Sequence, residues 1–337
     1  MEESKAPLLQ TTPSNAPKPV ATRPNPVNKY LGLVCAILAL FTLLPSPCFH
    51  SQNLDHFDSI LDLPPVHAHF EFPATFPSFE VLSTGIGSLN ITVSSSPTVA
   101  TVQISSRLTS TAQIALDESV ITASITSKNK LLFNATYPKQ LADIGLYNEV
   151  NITFPAHFDL NSVYIDGNIL SVRWDRDAPL VLSSFDAAVS FGAVHVESQL
   201  KTGVVGINLG TGSIHFLDLF VRESVVLGVE SGRVDGTFKG FASFAVKAGA
   251  GEVHAFLSSS EKVDSPLYSL DMVSGVVKAI IGNFLGTFDA SVGAGGQLHV
   301  GGGDPGSTPT HGTVGGKLGK GALEAKVEVG SLDLLFI

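Results

Sequence analysis

The chain is short of cysteine, of charge and of helical patterning, and each shortage closes off a class of protein. Its two cysteines, Cys35 and Cys48, lie in or beside a single apolar stretch. Everything after them is cysteine-free, so no disulfide framework and no cysteine-based zinc site is available there. Charged residues make up only 15% of the 337, too few to coat the outside of long helices. Lys and Arg number 20 against 30 Asp and Glu, for a net charge of −10. Binding a phosphate backbone needs a basic footprint, and this balance argues against nucleic acid. Catalytic signatures are missing too: there is no G-x-S-x-G elbow, Walker A sequence or H-E-x-x-H. Gly301–Gly306 spells G-x-G-x-x-G, but no helix can start in it and no βαβ unit surrounds it.

What the chain does hold is 32 glycines and a 44% share of hydrophobic residues, a mix that suits strands and turns. Residues 1–29 contain six prolines among Ser, Thr, Asn and Lys and are expected to form a disordered cytosolic tail. Residues 30–49 carry no charge. They are read as one N-terminal transmembrane helix, an uncleaved signal anchor, with a cleaved signal peptide as the competing reading. Lys18, Arg23 and Lys29 precede this stretch while Asp55 and Asp58 follow it, so the bulk of the chain is expected outside the cytosol. That makes a single-pass type II membrane protein, with the bulk extracellular or in a secretory or vacuolar lumen. Three sequons, at Asn90, Asn134 and Asn151, all lie beyond the anchor and are the expected N-glycosylation sites.

Residues 50–80 read as a stem. Within it Val66, Ala68, Phe70 and Phe72 alternate with His67, His69 and Glu71, which is strand periodicity. His67 and His69 then point the same way, and H-x-H on a strand can chelate a metal. No second ligand pair accompanies them, and a solvated polar face is the preferred reading; no cofactor is expected. Residues 81–337 read as strands nearly throughout, interrupted by a Gly-rich loop over 301–321. The best helical candidate, Leu270–Phe284, is weakened by Gly275 and Gly282.

A phrase of Gly, any residue, an aliphatic, then His or Asp recurs through the second half. It occurs as Gly192-Ala193-Val194-His195, Gly212-Ser213-Ile214-His215, Gly232-Arg233-Val234-Asp235 and Gly251-Glu252-Val253-His254. It returns at Gly296–His299 and Gly330–Asp333. The first four glycines stand 20, 20 and 19 residues apart, a period typical of repeat architectures. Two strands and two turns in such a unit make either one coil of a β-solenoid or one hairpin of an antiparallel β-sandwich. If coils stack in register, His195, His215, His254 and His299 form a ladder that could bind metal or sense acid. Because Asp235 and Asp333 occupy the same slot, the ladder is read first as an outward solvated face.

Val150–Pro155 and Val163–Ile169, with the repeat matches Thr211–Ile214 and Glu230–Val234, resemble a candidate-adhesin family of unknown function. Members of that family stack short Gly-punctuated β repeats, and fungal members often sit behind one N-terminal anchor. The resemblance covers about residues 80–260 and implies an all-β, β-helix-like stack with an adhesion role. The residues themselves point to a non-catalytic surface or lumenal scaffold that binds glycans or cell-surface proteins. The alternative is a β-helix polysaccharide-active enzyme centred on Asp166, Asp175 and Asp177, although Arg173 and Arg176 beside the last two would keep both ionised. A lipid-handling protein, which needs an apolar cavity, is a third possibility.

Overall fold

Alternating apolar and polar residues at a period of two build strands with one buried face, and here the alternation changes phase once per strand. The computed structural model describes residues 64–94, 96, 101–109, 120–136, 147–155, 158–174, 180–316 and 319–337. All of them belong to the compact unit Asp58–Ile337. The expected tail and anchor, residues 1–49, lie outside the described residues, as do Asp175 and Asp177. Among the described residues no helix is long and apolar enough to cross a membrane.

The strands in order are β1 (Val66–Pro73), β2 (Ser78–Val93), β3 (Thr101–Thr109), β4 (Val120–Ile125) and β5 (Lys130–Thr136). They continue with β6 (Tyr147–Phe154), β7 (Ser162–Trp174), β8 (Leu180–Val181), β9 (Ser184–Lys239) and β10 (Ser243–Ser258). The last five are β11 (Leu267–Gly282), β12 (Gly286–Val292), β13 (Gln297–Gly301), β14 (His311–Val314) and β15 (Gly321–Phe336). Part of the expected stem thus lies in β1 and at the start of β2. The weak helical candidate at 270–284 is mostly β11, because Leu270, Met272, Val277, Ala279 and Ile281 are buried at strand spacing. The expected loop 301–321 spans the gap between β13 and β15 and contains β14.

The sheet's main path runs β1-β3-β6-β2-β7-β9-β10-β11-β15-β12-β14 and does not close. Every pairing from β2 through β15 along that path is parallel. Antiparallel pairs occur at β1–β3, β3–β6, β4–β5 and β12–β14. This is not the pairing that a sandwich of hairpins requires. The strand β15 comes last in the chain yet lies inside the sheet, between β11 on one side and β12 and β13 on the other.

Most long strands have arms joined at a glycine, while β7 has Leu170 at that position. In β10, Phe244, Val246 and Ala248 are buried on the first arm, and Val253, Ala255 and Leu257 on the second. The alternation changes phase across Gly251, and both arms turn their apolar side inward. Gly232 shows why the corner must be glycine. Its φ is +147°, and a Cβ there would collide with the Gly212 carbonyl oxygen on the rung below. The same stacking links Gly192, Gly212, Gly232, Gly251, Gly275 and Gly330, with β9 stacked upon itself. A column of glycines therefore runs through the rungs from Gly192 to Gly330.

The inward faces make one hydrophobic core. Aromatic rings run through it as a connected chain, Phe216–Phe238–Phe244–Phe241–Tyr268–Phe284–Phe336–Phe288, with centroid spacings of 5.0–5.7 Å. Such spacings allow edge-on or offset contacts. No disulfide is needed to hold an interior packed this way.

Candidate functional site

Because the rungs share a register, residues three positions beyond each corner glycine line up on the outer face of the second arms. The row reads His69, Ser105, Asn151, Asn90, Arg173 and His195 across the first half of the sheet. It continues through His215, Asp235, His254, Lys278 and Asp333 to His299. Twelve neighbouring rungs, three of them within β9, place a polar residue at this one position. Directly after five of them, Ile152, Ile91, Trp174, Val196 and Phe216 are buried in the core.

Side-chain contacts run along the row and into its flanks. The rings of His195 and His215 lie 5.9 Å apart in an edge-on arrangement, and His195 Nε2 is 2.9 Å from Ser213 Oγ. His215 Nδ1 lies 3.3 Å from Asp235 Oδ2. Arg233 reaches Asp235 at 3.4 Å and Glu252 at 3.8 Å, and it donates to His254 Nδ1 at 3.3 Å. That donation requires a lone pair on Nδ1, which puts the neutral His254 proton on Nε2, facing Glu252. Arg173 pairs with Glu197 at 3.2 Å, and His69 with Glu71 at 3.3 Å. Partial burial pushes the His195 imidazole below its ordinary value, and the neighbouring His215 pushes the same way.

His195 and Ser213 make a base–hydroxyl contact, yet they sit on a sheet whose backbone amides are engaged in the ladder on both sides. No oriented amide is left there to steady an oxyanion. Among the described residues no group of three His, Cys, Asp or Glu side chains is arranged to hold a metal ion. His67 and His69 do share the exposed face of β1, with Arg107 and Ser105 as their ladder partners. Asp166 is exposed on the outer face of the first arms, between Leu82 and Ala188. One position over, Tyr164 lies between Glu80 and Asp186. Burial pushes the Asp186 carboxyl up, and a hydrogen bond from Ser184 opposes the shift. The tyrosine hydroxyl is pushed up by burial and then by the surrounding carboxylates.

The sequons divide into a pair and a single. Asn90 and Asn151 are ladder partners, half-buried, and Asn90 donates its amide to Asn151 Oδ1 at 2.9 Å. Their threonines pair as well, with Thr92 Oγ1 3.1 Å from Thr153 Oγ1. Asn134 stands apart on β5, accepting from Thr136 Oγ1 at 3.2 Å.

Sequence reasoning missed Lys278, Arg173 and the place of Asn90 and Asn151 in the row. Gly275-Val276-Val277-Lys278 and Gly87-Ser88-Leu89-Asn90 carry the same Gly, any, aliphatic, polar phrase, and widening the last slot beyond His and Asp would have found both. Arg173 follows Leu170 in place of glycine, and only the register reveals it.

These features define an all-β protein of parallel, in-register rungs that carries a continuous polar row on one outer face. No protein-family profile and no curated protein matches the chain. Among solved structures it is similar to a candidate adhesin from Bacteroides fragilis, at 12% identity and a TM-score of 0.46. That match covers 82% of this chain and 99% of the other. It is also similar to a candidate cell adhesion protein from Clostridium sporogenes, at 12% identity and a TM-score of 0.24, covering 81% and 100%. A candidate lipid binding protein from Parabacteroides distasonis follows, at 13% identity and a TM-score of 0.39, covering 80% and 96%. Identities and scores this low do not place the chain in a family.

Proposed function

We propose that the protein is a non-catalytic binding or adhesion module, a stack of β coils held at a membrane by residues 30–49 and presented outside the cytosol. Glycans or cell-surface proteins are the partners that suit it. The observation that carries this reading is the twelve-rung polar row. It is long, exposed and regular, and it lies on a surface whose backbone donors are already used. A catalytic site needs convergent groups around a reacting atom, whereas a row this long suits an extended partner touched at many points.

A polysaccharide-active enzyme is the second reading: the sequence centres it on Asp166, Asp175 and Asp177, and Asp186 lies one strand from Asp166 with its carboxyl pushed up by burial. One experiment separates the two. The full-length protein is incubated with a panel of immobilised polysaccharides and matrix proteins, and both retention and soluble product are measured. Retention without product is the expected outcome. Release of oligosaccharide that Asp186→Asn abolishes would replace the binding reading with the catalytic one.

A further inference from the structure

Seven histidines lie among the described residues, and six of them are on the outer face of the second arms: His67, His69, His195, His215, His254 and His299. Only His311 is elsewhere, paired with Asp289 at the β12–β14 edge. Imidazole is the side chain that ordinarily changes charge between about pH 5 and 8, so almost all of that capacity sits on one surface.

The fixed charges of this face nearly cancel. Among the described residues its cations are Arg107, Arg173, Arg233 and Lys278. Its carboxylates are Glu71, Glu149 and Glu197 on the earlier strands and Asp235, Glu252 and Asp333 on the later ones. Four against six leaves −2 with the histidines neutral, and six protonated imidazoles carry the face to +4. Beyond the ends of the arms, Lys239 is already paired with Asp218 at 3.0 Å. We infer that this face is an acid-gated docking surface for a linear acidic polysaccharide laid across the strands. The inference rests on the reading of the protein as a binding module.

Charge complementarity selects an anionic partner, and the geometry selects a polymer. Eleven steps of ~4.8 Å between neighbouring strands give a row about 50 Å long and one side chain wide. A polyuronate offers carboxylates along a line of that kind, with apolar sugar faces beside them. On the later rungs Phe256, Ile280 and Leu335 run parallel to the charged row and could meet such faces. An anionic bilayer fits less well, because the face has no Trp or Tyr belt to sit at headgroup level. Within the row, His254 gives up its hydrogen bond from Arg233 when it gains a proton. Arg233 keeps Asp235 and Glu252 as partners. Partial burial and the neighbouring His215 hold the His195 imidazole below its ordinary value.

The test is retention of the full-length protein on immobilised polygalacturonate at pH 5.5 and pH 7.5 and constant ionic strength. Both pH values keep the carboxylates of the two partners largely ionised. Retention at pH 5.5 is expected to exceed that at pH 7.5 at least tenfold and to fall with added salt. The triple variant His195→Gln/His215→Gln/His254→Gln is expected to lose most of the gain, while His311→Gln keeps it. Circular dichroism confirms that the variants are folded; should the triple variant not fold, His67→Gln/His69→Gln on edge strand β1 is expected to lose part of the gain. Equal retention at both pH values overturns the inference, as does a folded variant that keeps the full gain. Acid-dependent uptake by phosphatidylserine vesicles with none by polygalacturonate overturns it in favour of a lipid partner. Retention of a neutral glycan or a protein at either pH would end this inference and leave the binding reading standing, whereas release of product would end both.

Discussion

Gly232 shows how little freedom a single residue has in this architecture. Its positive φ and the carbonyl beneath it leave no room for a methyl group. Gly232→Ala is expected to lower stability by about 3 kcal/mol through strain and a backbone shift, read as a drop in the urea midpoint. Gly306 also has positive φ, at +94°, but nothing lies within 4 Å of a Cβ there. Gly306→Ala is expected to cost only about 1 kcal/mol, so the difference between the two isolates the stacking contact. The glycine phrase was legible at its first four positions because the period is regular there. Gly275 reads in the sequence only as a weak point in a helical candidate, because it follows Gly251 by 24 residues and its slot holds Lys278. His195 gives a titration test. Its folded proton affinity lies below the ordinary value of 6.5, so the unfolded chain takes up the proton more readily. Stability is therefore expected to decline as pH falls below about 6.5 and to level off once the folded imidazole is itself charged. His195→Gln should remove that part of the slope in thermal melts from pH 8 to pH 5.

Among the elements, β2 and β6 carry two sequons that meet face to face. Each Asn–Ile–Thr lies against its counterpart, asparagine on asparagine and threonine on threonine. A glycan on Asn90 is attached to the nitrogen that donates the shared hydrogen bond, and two glycans would leave neighbouring strands at the same height. If the chain is translocated as its sequence suggests, mass spectrometry is expected to find Asn134 occupied and Asn90 and Asn151 not both occupied in one folded molecule. Double occupancy would show that this strand pair opens in the mature protein. The chain of rings through the core is a second element-level feature. Phe244 touches both Phe238 and Phe241, and Phe244→Ala is expected to cost about 3–5 kcal/mol by chemical denaturation, Phe244→Leu much less. Most strands from β2 to β7 could be located from alternation alone. Their pairing could not, because alternation fixes which face is buried and says nothing about which strand comes next. The polar row was likewise visible only in fragments: a sequence shows Asn90, Arg173 and His195 as strangers, and register makes them neighbours.

At the scale of the whole molecule, the arrangement of repeats favours length over a cleft, and its interior is held by burial alone. The membrane placement belongs to this scale and rests on residues 18–58. It is expected to appear as a mobility shift on glycosidase treatment of the protein expressed in a eukaryotic secretory system; an unchanged mobility argues for a cytosolic location. The position of β15 has a further consequence. Strands β12 and β13 are made before it, yet their ladder partner in the stack is β15 itself. The segment 286–314 is a cap that has to wait, because the strand that seats it is synthesised afterwards. Folding at this end runs against the order of synthesis. A chain stopped at Lys320 leaves β11 with an open, flat backbone edge of the kind that pairs with other chains. Such a chain is expected to elute as aggregate in size-exclusion chromatography while the full chain does not. Strand β15 thus protects the edge of β11, and a copy that lacks it is marked by its own stickiness.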